Sequence, residues 1–433
     1  MNWDELMSMV HSADWKKSSS GLHRIRELLH LVGDPQEGMS FVHVAGTNGK
    51  GSTCAMLASI LTAAGYRTGL YISPHLFRVN ERWCVDQKQI TDEELRSLAM
   101  TLRPAILSME DKPTAFEIVT AIGFLYFRQS GCDVVVLEVG MGGRLDATNV
   151  ITDPVACAIM NIGLEHTEVL GDTIEKIAFE KAGIIKTGSD VVLYEQDSAV
   201  LNVVQKCAEE KKARLKVTDS SLLSEQSVHL DASGAFQTFS YRGREDLRLS
   251  LVGNYQARNA MVVLDVIDCM IEKGWKISED AVRAGLSGVR WPGRFELVCG
   301  DPLIIIDGAH NPNGVEALSE TIRRCLTGKN ITFVMGVMAD KDYGEMLRIL
   351  RERALPCAKR FIAEMPANSR GLDNDLLKEE ILRYFSCPVE TFETVQEGMR
   401  FAIETVKKEN DPDAVILAFG SLYQICDIME LIG

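Results

Sequence analysis

The sequence predicts an α/β protein with two domains, each organised around a mainly parallel β-sheet. Short apolar runs alternate with segments of helical periodicity, which is typical of parallel strands connected by helices. Polar residues follow the ends of these runs, where open parallel sheets bind their ligands. The pair Pro292 and Gly293 ends one helical pattern before the alternation restarts. We therefore expect domains at residues 1–292 and 293–433.

The composition restricts the class of protein. The 433 residues are 46% hydrophobic, which allows a substantial core. A net charge of −15 argues against nucleic acid as a partner, because counterion-releasing contacts need clustered lysine and arginine. The 11 cysteines include no C-x-x-C pair, which favours reduced thiols over a disulfide framework. Residues 1–20 are polar, so we expect no signal peptide, no membrane partner and a cytoplasmic location.

The most informative stretch is an apolar run, Phe41 to Ala45, followed by the glycine-rich residues 46–53 and a helical segment. Converging backbone N–H groups at the start of a helix favour phosphate binding. Lys50 is expected to reach the outer phosphates and Ser52 to bind Mg²⁺. An ordinary strand-to-helix turn stays open as an alternative, because Val44 occupies the place of the first glycine in the standard phosphate-binding loop.

Three polar residues lie at or beyond the ends of other predicted strands. Ser73 follows the strand at residues 67–72, and His166 follows the strand at residues 155–159. Glu138 lies inside the apolar run at residues 133–140, where a carboxylate is costly unless it meets a metal ion or a lysine. Together they predict a site for a divalent ion, although a lone histidine is often structural.

The other predicted elements follow from periodicity. In the first domain we expect helices over residues 21–29, 114–129, 173–181 and 254–271. Residues 187–252 are more irregular, and the alternating residues 236–241 indicate antiparallel hairpins. In the second domain we expect strands over residues 302–307, 331–336, 360–364, 389–392 and 414–419. The predicted chemistry is phosphoryl transfer, either to water, as in an ATPase switch or motor, or to an organic acceptor.

Several motifs occur in order along almost the whole chain. They are GTNGKGS at 46–52, TAFE at 114–117, EVGMGGRLDATN at 138–149, EKAGI at 180–184 and DGAHNP at 307–312. With them the chain closely resembles the folylpolyglutamate synthase/dihydrofolate synthase family, which is related to the ATP-dependent Mur amino-acid ligases. The resemblance implies a large P-loop domain, with a mainly parallel sheet and a small antiparallel sheet, and a smaller Rossmann-like domain that binds glutamate.

The resemblance also implies an activity. ATP phosphorylates a substrate carboxylate, and the amine of L-glutamate attacks the acyl phosphate to give an amide, ADP and phosphate. The implied folate substrates are dihydropteroate and tetrahydrofolate. The predicted architecture indicates a monomer. Three alternatives stay open: a folylpolyglutamate synthase only, a Mur-type peptidoglycan ligase, and a nucleotide-binding switch that hydrolyses ATP without glutamate.

Site residues carried over from the family fall into four groups. Those implied to bind ATP are Gly46, Thr47, Asn48, Gly49, Lys50, Gly51, Ser52, Asn259, Arg294 and Asp307. Those implied to hold two Mg²⁺ ions are Ser52, Ser73, Glu138, His166 and Lys181, the last as a carbamate. Those implied at the pteridine end are Gly21, Leu22, Arg24, Phe77, Arg144, Leu145, Asp146 and Ala147. Lys341 and Ser421 are implied near the glutamate.

A catalytic role is expected for Lys50, Glu138, His166, Lys181 and His310. Simpler structural readings also exist for some of these residues. Lys181 could be an ordinary cation at a helix end. Phe77 could serve packing alone, and structural roles also suit His310, Lys341 and Ser421.

Overall fold

The structure is a computed structural model that describes residues 21–232, 234–354, 358–368 and 370–432. Residues 1–20, on which the absence of a signal peptide was predicted, lie outside the described residues. Contacts between Cα atoms divide the chain into two compact units, one with the residues up to 223 and 258–289, the other with 224–257 and 290–433. Residues 224–257 thus group with the second unit although they precede residue 292 in the chain.

The first unit contains an eight-stranded sheet. Its strands are β1 Phe41–Ala45, β2 Thr68–Tyr71, β3 Trp83–Val85, β4 Lys88–Gln89, β5 Val134–Glu138, β6 Ala156–Ile159, β7 Asp190–Leu193 and β8 Arg214–Val217. The order is β4-β3-β2-β5-β1-β6-β7-β8. The strands from β2 to β8 in this order are parallel, whereas β3 and β4 extend one edge antiparallel.

Helices cover this sheet. They are α1 His23–Leu31, α2 Lys50–Ala63, α3 Asp92–Ser108, α4 Ala115–Gln129, α5 Thr167–Leu170, α6 Ile174–Ala182, α7 Ser198–Glu210, α8 Asn254–Glu272 and α9 Glu279–Gly288. Local sequence explains several of their starts. Thr91 and Thr114 each accept the N–H of a glutamate three residues later, Glu94 and Glu117, and so form capping boxes at α3 and α4.

The register of the sheet positions the functional residues. All residues of β1 are buried, because β1 lies between β5 and β6 with helices on both faces of the sheet. Val44 lies opposite Glu138, Ala45 opposite Ile159, and Tyr71 opposite Leu137. The segments that follow β1, β2, β5 and β6 therefore start at one edge of the sheet.

Residues 187–252 were predicted to be irregular, and this prediction was wrong for residues 190–217. Strand β7, helix α7 and strand β8 continue the parallel sheet there. Strand β8 is an edge strand with charged side chains, and Lys216 donates to buried Asp265 at 2.9 Å. A polar edge strand lacks the apolar run by which the inner strands are recognised. The predicted strand at 236–241 lies within β10 Gly234–Tyr241.

The second unit contains two sheets. The small sheet has the order β11-β10-β9, formed by β9 Leu223–Asp231, β10 and β11 Arg244–Leu249. The larger sheet has the order β12-β13-β17-β14-β15-β16. Its strands are β12 Glu296–Gly300, β13 Leu303–Ile306, β14 Asn330–Met335, β15 Ala358–Glu364, β16 Val389–Phe392 and β17 Ala414–Phe419. Only β12 runs antiparallel to its neighbour.

Helices and a buried aromatic cluster complete this unit. The helices are α10 Pro312–Cys325, α11 Tyr343–Arg353, α12 Asn374–Tyr384, α13 Val395–Glu409 and α14 Leu422–Ile432. Phe333 stacks on Phe361 at 4.9 Å between ring centroids and meets Phe419 edge-on at 5.9 Å. These three rings lie on the neighbouring strands β14, β15 and β17. The predicted mixed α/β fold with mainly parallel sheets is confirmed. Within the described chain, no helix is both long and apolar enough to cross a membrane.

Candidate active site

The glycine-rich loop at residues 46–52 connects β1 to α2, and Gly49 caps the helix in the left-handed conformation, with φ of 87°. A Cβ atom on Gly49 would lie 2.6 Å from Oδ1 of Asn259, which is buried. Glycine is therefore required there by both backbone conformation and space. The contact also places Asn259, which the family resemblance implied for ATP binding, directly against the loop.

Thr47 ties the loop to the segment that follows β6. Its hydroxyl accepts the N–H of Gly163 at 3.1 Å and donates to the carbonyl of Gly163 at 3.2 Å. Its backbone N–H donates to the carbonyl of Asn161 at 2.8 Å. Beyond this segment His166 has φ of 50° and an exposed ring whose Nε2 lies 3.9 Å from Oε1 of Glu165. The loop therefore holds the chain that leads to His166.

Two lysines meet at one carbonyl of the loop. Lys50 Nζ donates to the carbonyls of Gly46 at 3.0 Å and Thr47 at 3.1 Å. Lys181 Nζ donates to the same Gly46 carbonyl at 2.8 Å. Burial, together with repulsion from Lys50, lowers the pKa of Lys181 from 10.5 to about 7. A buried lysine that loses its proton near neutral pH differs from an ordinary cation at a helix end.

Glu138 lies at the end of β5 and is only 5% exposed. Its Oε2 accepts the backbone N–H of Ser73 at 3.1 Å. The Ser73 hydroxyl is buried and has no hydrogen-bond partner. A carboxylate beside an unpartnered hydroxyl oxygen is a donor set that suits a hard cation.

A third residue near Glu138 was not predicted from the sequence. Burial lowers the pKa of Arg82, and the nearby carboxylates Glu138 and Glu81 offset part of this shift. Arg82 Nε donates to Nδ1 of His75 at 3.0 Å. Glu138 therefore has a cationic neighbour from the chain itself. The only sequence signal was the position of Arg82 in the irregular segment that follows a strand.

The described residues contain no cluster of three or more histidine, cysteine or acidic side chains able to hold a metal ion. A Mg²⁺ site does not need such a cluster, because Mg²⁺ keeps water ligands and binds through one or two carboxylates together with substrate phosphates. Glu138 and the Ser73 hydroxyl fit that pattern, next to a loop of the phosphate-binding type. Ser52, also predicted, is buried in the first turn of α2.

The segment after β5 contains four of the residues implied at the pteridine end, Arg144 to Ala147. Arg144 is exposed and donates through Nη2 to Oε1 of Glu180 at 2.8 Å. Asp146 is buried and accepts the N–H of Met141 at 2.9 Å and the hydroxyl of Thr148 at 2.5 Å. Burial raises the pKa of Asp146. Leu145 is exposed, and Ala147 begins a short 3₁₀ helix, Ala147–Val150.

The N-terminal candidates lie at helix α1. Gly21 and Leu22 precede it, and Leu22 is its N-cap. Arg24 is buried, and its Nε donates to Oε2 of Glu117 at 3.0 Å. Since Glu117 is the capping-box residue of α4, the Arg24 side chain joins two helices of the first unit. Phe77, in contrast, is 39% exposed.

In the second unit, the end of β13 brings three predicted residues together. Asp307 is buried and accepts the N–H groups of Phe295 and Ala309, both at 2.8 Å. Burial raises the pKa of Asp307, and the neighbouring Arg294 offsets part of this shift. Nδ1 of His310 is 2.7 Å from the carbonyl oxygen of Gly308.

The glutamate candidates lie beyond other strands of the same sheet. Lys341 follows β14, and its Nζ is 3.9 Å from Oδ2 of Asp340. Ser421 follows β17, is buried, and accepts the N–H of Tyr423 at 3.1 Å through its hydroxyl. Strands β13, β14 and β17 are parallel, so Lys341 and Ser421 lie towards the same carboxyl edge of the six-stranded sheet as Asp307.

Comparison with known proteins identifies the family of the chain. The Mur ligase middle domain matches residues 44–267, and the Mur ligase glutamate ligase domain matches residues 293–422. Folylpolyglutamate synthase of Lacticaseibacillus casei is 35% identical over 98% of this chain and 97% of the relative. Dihydrofolate synthase/folylpolyglutamate synthase of Bacillus subtilis is 36% identical over 99% of this chain and 98% of the relative.

The chain belongs to the folylpolyglutamate synthase/dihydrofolate synthase family of Mur ligases. Solved structures of the family share its fold. A Mycobacterium tuberculosis folylpolyglutamate synthase complexed with ADP and AMPPCP superposes with a TM-score of 0.86, at 30% identity and 99% coverage of both chains. The E. coli FolC complex with DHPP and ADP gives a TM-score of 0.84, at 30% identity over 99% of this chain and 97% of that one. The predicted family is confirmed.

Proposed function

We propose that this member of the family is an ATP-dependent ligase that adds L-glutamate to folates through an acyl phosphate. Its acceptors are both dihydropteroate and tetrahydrofolate glutamates. The observation that carries the proposal is the meeting of Lys50 and Lys181 at the Gly46 carbonyl, in a loop next to the end of the Glu138 strand. Relatives that match the chain over its full length and are named dihydrofolate synthase/folylpolyglutamate synthase support the choice of both acceptors.

In the first step an oxygen of the substrate carboxylate attacks the γ-phosphorus of ATP, and ADP leaves. Both partners are anionic, so the step needs positive charge at the phosphates. Lys50 and the N–H groups at the start of α2 supply it, and Glu138 with Ser73 and Ser52 would hold Mg²⁺. When bound, Mg²⁺ neutralises phosphate charge and orients the γ-phosphate. We propose His166 and Lys181 for a second ion.

Lys181 is proposed to act as a carbamate. A neutral amine adds CO₂ to form a carbamate with loss of one proton, and a pKa of about 7 supplies the neutral amine at ordinary pH. The product is an anion with two oxygens in place of a cation. It would suit a metal ion next to the loop, whereas an ammonium group would repel one.

In the second step the amine of glutamate attacks the acyl carbon, phosphate leaves, and the amine loses a proton. We propose residues 1–292 for binding ATP and the pteridine, and residues 293–433 for binding glutamate. Asn259 is assigned to the adenine, Arg294 to phosphate and Asp307 to the ribose. His310, Lys341 and Ser421 are assigned to the glutamate side.

The proposed pteridine end comprises Gly21, Leu22, Arg24, Phe77 and the segment from Arg144 to Ala147. Among these, Arg24 and Asp146 are buried and already bonded within the protein, so their part is to shape the site. Phe77, Arg144 and Leu145 are exposed, and Arg144 also donates to Glu180. We also propose that the enzyme is a cytoplasmic monomer.

The test is phosphate release from MgATP, with L-glutamate present and either dihydropteroate or tetrahydrofolate as acceptor, with products identified by mass. Glutamate-dependent release with both acceptors, with one glutamate added to each, is the expected result. Release with tetrahydrofolate alone would make the protein a folylpolyglutamate synthase only, which is how its Lacticaseibacillus relative is named. Release that needs neither acceptor nor glutamate would replace the ligase with an ATPase switch.

A further inference from the structure

The segment from Ser73 to Arg82, here called the 73–82 loop, leaves β2 and enters β3. Within it the Glu81 carboxylate accepts three consecutive backbone N–H groups. Oε2 accepts that of Leu76 at 2.7 Å, and Oε1 accepts those of Phe77 at 2.8 Å and Arg78 at 2.6 Å. One side chain therefore fixes the backbone on both sides of Phe77.

The three hydrogen bonds to the Glu81 carboxylate are charge-assisted. A hydrogen bond to an ionised acceptor is shorter and about twice as strong as one between neutral groups. Without Glu81, all three N–H groups would lose the bonds that they make to its carboxylate, in the irregular stretch that precedes the 3₁₀ helix Val79–Arg82. The conformation of residues 76–78 therefore depends on this carboxylate.

Other bonds hold the loop in place independently of Glu81. Asn80 Nδ2 donates to the carbonyl of Ile90 at 2.9 Å and to Oδ1 of Asp92 at 2.8 Å. Arg78 Nη2 donates to the same Asp92 oxygen at 2.8 Å. Loss of the Glu81 carboxylate should consequently leave the loop attached and change only its inner turn.

We propose that Glu81 is a positioning residue for the pteridine-bearing substrate, acting through the backbone of Phe77. Phe77 is an aromatic side chain that is 39% exposed on a backbone held by charge-assisted bonds. Such an arrangement presents a flat apolar side chain on a backbone that is already ordered before a ligand binds, so less free energy is lost on binding. The inference rests on the proposed function, in which Phe77 contacts the pteridine end.

The test is Glu81→Gln in the full-length enzyme. The amide keeps the shape of the side chain but removes the charge and one acceptor. We expect the KM for tetrahydrofolate or dihydropteroate to rise about tenfold, with kcat and the KM for MgATP changed by less than about twofold. Glu93→Gln, an exposed residue on α3, is the matched control and should leave all three constants unchanged. An equal rise in both KM values, or no change in either, would overturn the proposal.

Phe77→Ala separates positioning from a merely structural role. If Glu81 acts through Phe77, this variant alone should raise the folate KM, and Glu81→Gln should add little to it in the double variant. Additive effects would show that Glu81 acts elsewhere. Failure of the wild-type enzyme to form an amide product would instead refute the proposed function, and would be seen without any variant.

Hydrogen exchange tests the proposal on the wild-type protein, so the result does not depend on whether a variant folds. In the free wild-type protein the amides of residues 76–78 should already be protected, because Glu81 holds them before substrate binds. Protection that appears only after folate is added would contradict preorganisation by Glu81.

Discussion

At the scale of single residues, Lys181 shows how position changes chemistry. The side chain is an ordinary lysine on the short helix α6, yet it is buried and its Nζ shares the Gly46 carbonyl with Lys50. Removal from water and a neighbouring cation both disfavour its charged form, and the carboxylates Glu165 and Asp146 offset only part of the effect. The consequence is a nucleophilic amine next to the glycine-rich loop at residues 46–52.

The lowered pKa of Lys181 predicts how stability depends on pH. Between pH 7 and 10.5 the unfolded chain holds a proton on Lys181 that the folded chain has lost, so the unfolding free energy rises with pH in this window. Lys181→Met should remove this rise, and near pH 7 it should be more stable than the wild type. Denaturant titrations in bicarbonate-free buffer measure this. Lys176→Met, an exposed position on the same helix, is the control and should keep the wild-type slope.

The proposed carbamylation of Lys181 gives a second prediction at this scale. Lys181→Ala should lower glutamate-dependent phosphate release about 100-fold, a loss of the size seen when groups that support a metal are removed. Short carboxylic acids in the buffer should restore part of the activity, because their carboxylate can occupy the vacated space. A variant as active as the wild type, or one that no carboxylic acid rescues, would argue against the carbamate.

At the scale of elements, the loop between β1 and α2 depends on one glycine in particular. Gly49 and Gly65 have nearly the same φ, 87° and 89°, but only Gly49 has a neighbour, Asn259, within reach of a Cβ atom. Substituting alanine at Gly65 therefore tests backbone strain alone, whereas alanine at Gly49 adds a steric conflict with Asn259. Strain in the left-handed region costs about 1–3 kcal/mol for a residue other than glycine.

Gly49→Ala should lose stability as Gly65→Ala does and should in addition displace Asn259 from the loop. We expect the KM for MgATP to rise about tenfold or more in Gly49→Ala, because small misplacements of binding groups are costly. Gly65→Ala should keep the wild-type KM. Equal KM values in the two variants would show that the contact with Asn259 has no part in nucleotide binding.

Strand β15 of the second unit ends in a buried acid. Glu364 is 0% exposed, neither carboxyl oxygen has a hydrogen-bond partner, and burial raises its pKa well above 4.5. The folded state therefore keeps the proton, and stability is lost as the pH rises from 4.5 towards the folded pKa.

Glu364→Gln should be more stable than the wild type at about pH 8, by about 1 kcal/mol or more, since the amide has no proton to lose. The difference should fade as the pH falls to 4.5, where both side chains are uncharged in the folded protein. Thermal unfolding across this range measures it. Glu379→Gln, an exposed position on α12, should show no such dependence on pH.

At the scale of the whole molecule, the net charge of −15 sets how copies of the chain meet. Like charges repel over about 10 Å at moderate ionic strength, which disfavours self-association. We expect sedimentation equilibrium at low salt to give the mass of one chain, and added duplex DNA to leave that mass unchanged. A stable dimer at low salt would contradict the proposed monomer.

The sequence by itself determined the elements whose signals are local. The run Phe41 to Ala45, the glycine loop after it and the apolar strand with Glu138 were each predicted where the structure has them, because strand burial and tight turns depend on neighbouring residues. Helix α3 was not predicted, although the capping-box residues Thr91 and Glu94 are a local sequence signal for its start.

Only the tertiary structure decided which distant residues meet. Lys181 reaches Gly46, Asn259 lies against Gly49, and Arg82 lies near Glu138, although no periodicity or spacing connects these pairs. Their proximity follows from the strand order, in which β1 lies between β5 and β6, and from the packing of helices on that sheet. A parallel sheet brings together the ends of strands that are far apart in the chain, so the motifs predict the chemistry and the sheet order determines its geometry.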